Sequence, residues 1–149
     1  MTFTNRLSLA ATLLLPGAFT LLHAQAPAVA STTLLRTGTA WTGAPLVYPR
    51  LEHPEIQTVL VEIAPGAATA WHKHPMDNIA YILEGSLRLE LEDGTTRTFQ
   101  KGEAFAEVVN TWHRGVNVGT APLKILVVYT GEKGTPLSIL KDASKPGEH

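Results

Sequence analysis

An all-β domain between residues 32 and 140 is predicted by three observations. Apolar and polar residues alternate over short runs, Gly and Pro punctuate those runs at near-even spacing, and no stretch between Thr32 and Thr130 sustains a helical period. Many short strands punctuated in this way build a sandwich or a barrel.

The elements follow in order. Thr33 to Trp41 is read as a first strand, Gly43-Ala44-Pro45 as a turn, and Pro49 to Pro54 as a polar connection. In Gln57 to Ile63, alternation sets Val59, Val61 and Ile63 on one face and Thr58, Leu60 and Glu62 on the other. Ala64-Pro65-Gly66 turns the chain, Thr69 to His74 is extended, and Pro75 interrupts it. Ile79 to Leu83 is β-prone and Glu84-Gly85 bends. Ser86 to Glu92 alternates, with Leu87, Leu89 and Leu91 inward. Asp93-Gly94 is the strongest hairpin signal, with Thr95 to Gln100 returning. After a turn at Lys101-Gly102-Glu103, Ala104 to Val109 is a short strand, and Asn110 turns into Trp112-His113. Asn117 to Pro122 turns again, and Leu123 to Thr130 is the last strand, with Ile125, Val127 and Tyr129 on one face. Leu137 to Leu140 is expected to pack back onto the domain, and residues 141–149 form a disordered tail.

Residues 1–24 have the anatomy of a secretory signal peptide. A short basic start at Met1 to Arg6 precedes an apolar, Leu- and Ala-rich run from Leu7 to Leu22, broken by Pro16-Gly17, with small residues after it. The run is too short and too interrupted to span a bilayer. Cleavage is placed after Ala24, with Ala30 as a later site, and residues 25–31 form a flexible leader. With no twin-arginine pair, export is of the Sec type, and the chain is expected in the periplasm or outside the cell. About 125 residues remain, enough for one small domain.

The absence of Cys removes disulfides, thiolate ligands and thiol nucleophiles. Twelve Lys and Arg against thirteen Asp and Glu, without basic runs, argue against nucleic acid, and against a membrane once the signal is removed.

Two clusters carry the chemistry. His72 and His74 lie two apart, so on an extended strand both rings leave one face. His113, brought in from another strand, completes a three-nitrogen set for one divalent metal ion. Fe, Mn, Zn, Ni and Cu are not distinguished by that set.

The spacing around these histidines resembles the two motifs of the cupin superfamily. Gly66, His72, His74 and Gly85 fall on the first motif, and Asn78 stands where that motif has Glu. Gly102, His113 and Asn117 fall on the second, with Val108 at the usual Pro and Asn110 at the usual Gly. The resemblance covers Gln57 to Tyr129. It implies a small single-domain protein of the type-2 cupin kind, folded as a double-stranded β-helix, the jelly-roll barrel also called RmlC-like. It further implies metal ligation by His72, His74 and His113. Asn78 and Asn117 are then each a fourth ligand or a neighbour of the ligand set, with Asn117 expected to hold the chain near His113. Losing the motif glutamate weakens the hold on a dication, although some cupins, thiol dioxygenases among them, work with three His and no carboxylate.

Neighbouring residues are read by strand alternation. Asp77 points away from Asn78, Trp71 and Trp112 point away from the histidines, and Tyr81 faces outward. Ala80 and Ile82 share the Asn78 face and are expected to make the pocket apolar. A strong base is not identified; Glu62, Glu103 and Glu107 are candidates without a placement. The expected function is a metal-dependent cupin acting on a small organic molecule, by dioxygenase-like or isomerase- or lyase-like chemistry. The alternative is a non-catalytic periplasmic module that binds a metal or small ligand. Resemblance to small cupins that pair through N-terminal strands implies a homodimer through Thr33 to Val47 as a candidate oligomer.

Overall fold

The computed structural model describes residues 29–141, and the expected signal peptide, most of the leader and the tail lie outside them. The compact unit begins at Thr32. Among the described residues there are nine strands and no α-helix. They are β1 (Pro54–Ile63), β2 (His72–Lys73), β3 (Asp77–Glu84), β4 (Ser86–Leu91), β5 (Thr96–Gln100), β6 (Ala104–Ala106), β7 (His113–Asn117), β8 (Leu123–Glu132) and β9 (Ile139–Leu140).

Two sheets form, ordered β1-β8-β3-β6 and β5-β4-β7-β2-β9, and all their strand pairs are antiparallel. This is the all-β jelly roll. The longest ladder joins β1 to β8 without a break, from Pro54 opposite Glu132 to Ile63 opposite Leu123. Inward residues of both sheets make the core: Ile63, Ile82, Leu87, Leu89, Phe99, Phe105, Leu123 and Ile125 are buried. Phe99 and Phe105 stack with ring centroids 3.8 Å apart, and the edge of Trp41 closes over Phe99 at 6.4 Å.

At Gly85 the chain leaves one sheet for the other. Its φ is +86°, and a Cβ there would lie 3.0 Å from the Leu123 Cα, so a side chain is excluded on two counts. The β4–β5 hairpin closes at Asp93-Gly94 as expected. Gly94 N donates to Leu91 O, Leu91 N donates to Thr95 O, and only Gly94 takes positive φ, which is a type I turn closed by a glycine bulge.

Three expectations change. Thr33 to Trp41 forms no strand: the segment makes one isolated bridge, Thr39 with Pro45, and docks on β6 through Trp41 N to Ala106 O. The strand expected over Ala104 to Val109 ends at Ala106. Conversely, the strand expected to bring in His113 is given no extent by hydrophobic alternation, since its inward residues are His113, Gly115 and Asn117, and it runs over all five residues from His113 to Asn117. Leu137 to Leu140 packs back as expected, with β9 pairing on β2.

Candidate metal centre

The register places the histidines. His72 in β2 stands directly opposite His113 in β7, so both rings rise from one face of the sheet. His74, just beyond β2, bridges to Val109 and its carbonyl accepts from Asn110 N. Ring centroids are 4.5 Å apart for His72 and His113, 4.9 Å for His72 and His74, and 5.0 Å for His74 and His113. Their candidate ligand atoms all lie within 4.8 Å of one another. Two ligands of one ion with bonds of about 2.1 Å can be at most about 4.2 Å apart, so small ring movements close the set.

Each imidazole is held by its other nitrogen. Nδ1 of His72 lies 2.8 Å from Ala70 O, Nδ1 of His74 lies 2.6 Å from Leu137 O, and Nδ1 of His113 lies 2.8 Å from Thr111 O. A carbonyl only accepts, so each Nδ1 carries a proton, and in the neutral ring Nε2 is then the nitrogen with the lone pair. This is the arrangement that orients histidine toward a metal. Burial pushes His72 and His74 below the ordinary histidine value, against the smaller pull of their backbone acceptors and of Glu107. Both therefore favour the neutral, ligating form.

The fourth group at the centre is Glu107. Its carboxylate is buried, with Oε2 3.1 Å from Nε2 of His113. Burial alone would raise this carboxyl, but His113, and then the charges of His74 and His72, hold it below the usual range. Burial likewise depresses His113, and Glu107 more than reverses that, so His113 moves upward. Despite the short contact, Nε2 and Oε2 are both without a hydrogen-bond partner of acceptable geometry. Of the three unplaced carboxylates, only this one reaches the site. Glu62 lies exposed on the outer face of β1, and Glu103 accepts from Gln100 N in a turn.

Asn78 is on the inner face of β3 as expected and 3 % exposed, yet it does not border the cavity, and neither amide atom has a partner. Asn117 is fully engaged elsewhere: Nδ2 donates to Ile63 O and Ala121 O, and Oδ1 accepts from Gly119 N, all at 2.9 Å. Both amide hydrogens are used, and the oxygen is directed to Gly119 N rather than to the histidines. Asp77 points away from the histidines, its carboxyl raised by burial. Trp71 and Trp112 also turn away and carry cations, with Arg114 over Trp71 and Lys73 over Trp112, each 5.0 Å from the ring centroid.

The histidines and Glu107 border a cavity of about 240 Å³ between the two sheets. Its apolar walls are Val61, Ile63, Leu87, Leu89, Ile125 and Val127. Ala80 and Ile82, expected to supply that surface, are buried in the core and do not border it. Tyr129 also lines the cavity; burial, and then the Glu107 charge, push its phenol up to about 12, so it stays protonated.

The missed residue is Glu107 in its role beside the histidines. Its signal in the sequence is one carboxylate inside the otherwise apolar run Ala104-Phe105-Ala106-Glu107-Val108-Val109.

The sequence profile of the family described as Cupin domain matches residues 59–129. No curated protein matches the chain in sequence. Among solved structures, a cupin domain from Bordetella pertussis aligns at 22 % identity over 51 % of this chain and 81 % of its own, with a TM-score of 0.46. The oxalate decarboxylase of Lactobacillus farciminis, solved as a formate complex, aligns at 26 % identity over 57 % of this chain and 26 % of its own, with a TM-score of 0.49. The polyketide cyclase RemF from Streptomyces resistomycificus aligns at 26 % identity over 60 % of this chain and 63 % of its own, with a TM-score of 0.51. The chain thus spans less than two thirds of either enzyme. The Cupin profile over residues 59–129 places this chain in the cupin superfamily, and the jelly roll and the pairing of His72 with His113 accord with that match.

Proposed function

We propose that this chain is an exported cupin that holds one divalent metal ion through His72, His74 and His113 and transforms a small, largely apolar organic molecule. One observation carries the reading: all three Nδ1 atoms face backbone carbonyls, which leaves three Nε2 lone pairs converging beside an apolar cavity. Unliganded, the Nε2 of His113 is buried without a hydrogen-bond partner, a costly arrangement. A divalent metal there supplies Lewis-acid polarisation of a bound oxygen or carbonyl or, if it is iron, a place for oxygen chemistry. The protein's part is to fix the three rings, to exclude water with Val61, Leu87, Leu89 and Val127, and to keep Tyr129 as a neutral phenol at the wall. The apolar walls of the cavity support an apolar substrate. Export is supported by the apolar run from Leu7 to Leu22 behind a basic start.

The test is metal content of protein recovered from the periplasm, beside His72→Ala and His113→Ala. Near-stoichiometric metal, lost in both variants, is expected, and its identity then selects the substrate panel. A wild type that carries no metal and takes none up on titration refutes the site. Stoichiometric metal without turnover of any substrate in the panel would favour the non-catalytic binding module.

A further inference from the structure

We infer that Glu107 is the fourth, anionic protein ligand of this centre, supplied from the strand position directly opposite Asn78. The inference rests on the three-histidine reading above and adds to it the source of the negative charge.

Glu107 N donates to Asn78 O at 3.1 Å, one step beyond the β3–β6 ladder in which Ile79 faces Ala106 and Ala80 faces Phe105. Residues 78 and 107 are therefore direct cross-strand neighbours on the same inward face, with Cβ atoms about 5 Å apart. The longer side chain of a glutamate at 78 would start beside position 107 and extend toward the same cavity, which Asn78 itself does not reach. At 78 the chain has an amide whose two polar atoms are buried and unpartnered. At 107 it has a carboxylate that borders the cavity shared with all three histidines.

The contact with His113 points the same way. Its Nδ1 proton is directed at Thr111 O, so Nε2 presents a lone pair to Glu107 Oε2 at 3.1 Å. Two acceptors at that distance repel unless a cation sits between or beside them. A proton on Nε2 would serve, but the contact lacks hydrogen-bond geometry, and both atoms are unpartnered. The converging ligand atoms are those of His72, His74 and His113, and Glu107 touches that set through His113. A metal ion beside His113 would satisfy both atoms, with a side-chain movement of Glu107 bringing its carboxylate to the ion that His72 and His74 share. It also offsets the cost of a buried carboxylate.

The experiment is Co²⁺ and Zn²⁺ titration of wild type, Glu107→Gln, His72→Ala and the swap Asn78→Glu/Glu107→Asn, read by competition with a chelator and by the Co²⁺ visible spectrum. Glu107→Gln is expected to bind at unchanged stoichiometry with affinity lowered about 100-fold and an altered Co²⁺ spectrum, and the swap is expected to recover most of the affinity. Equal affinity and an identical spectrum in Glu107→Gln would overturn the ligand role while leaving the three histidines standing. No uptake by wild type would overturn both. Should Glu107→Gln fail to fold by circular dichroism, the swap decides: near-wild-type affinity supports the assignment, and affinity as low as that of His72→Ala removes it.

Discussion

The Nδ1 of His74 lies 2.6 Å from the carbonyl oxygen of Leu137, 63 positions further along the chain. The same C-terminal strap pairs Leu140 with His72 and Ile139 with Lys73, and Ser138 and Leu140 border the cavity. The strap thus orients one proposed ligand and closes the wall beside another. Deleting residues 137–149 should lower Zn²⁺ affinity about 10–100-fold, as loss of a histidine's orienting partner does. Deleting only residues 142–149 should change nothing. Equal affinity in both truncations would show that the strap does not orient His74.

Asn117 is a lock between turns, and its removal should separate stability from metal binding. The side chain is fully buried and joins Ile63 O, Ala121 O and Gly119 N. Asn117→Ala leaves buried backbone groups unpaired and should cost about 2–4 kcal/mol in urea unfolding. Metal affinity per folded molecule should stay at the wild-type value. A loss of affinity at full foldedness would return Asn117 to the ligand set.

On the outer face of the same sheet, Glu90 clasps Arg114 of the facing strand and Arg88 of its own, with Nε to carboxylate distances of 2.8 and 2.7 Å. Hydrogen bonding from Arg114, then from Arg88, holds this carboxyl below the ordinary glutamate value of 4.5. A depressed folded pKa contributes stability that is fully present above the unfolded value and is lost as pH falls through the folded one. Wild type should therefore exceed Glu90→Gln by up to about 1 kcal/mol near neutrality, less in high salt. The gap should vanish in acid. A gap that persists unchanged to low pH would mean packing, not charge, is responsible.

What the sequence made legible follows from which residues face inward. In β1, β4 and β8 the inward residues are aliphatic or aromatic, so alternation exposes the strands directly. In β7 they are His113, Gly115 and Asn117, and a hydrophobic alternation test sees nothing there. The segment from Thr33 to Trp41 has strand-like composition but no partner strand, so it remains irregular. His72 and His74 were legible from spacing, because a two-residue offset on an extended chain fixes a common face, whereas His113 was legible through the motif resemblance. Glu107 was not, since its neighbours at the site come from β2, β3 and β7 rather than from its own segment. Asn110 shows how a motif departure is absorbed. It stands where the second motif has Gly, and it takes φ +52°, a conformation that Asn tolerates better than most side chains.

Gly115 sets the size of the cavity. A Cβ added there would lie 2.9 Å from Leu87 Cδ1, the free end of a flexible side chain that itself lines the cavity. Gly115→Ala should therefore fold, at a cost of about 1–2 kcal/mol, by driving the Leu87 methyl into the cavity. The metal stoichiometry should be unchanged. A graded probe reads the lost volume: straight-chain carboxylates of increasing length, added to the Zn²⁺-loaded protein. While methylenes enter the apolar walls, each should improve affinity by about 0.8 kcal/mol, roughly fourfold. The series should stop improving one or two carbons earlier in Gly115→Ala than in wild type, because the wall formed by Leu87 has advanced. Superimposable series would mean that ligands of the metal do not extend into this cavity, and the apolar substrate proposed for it would have to be abandoned.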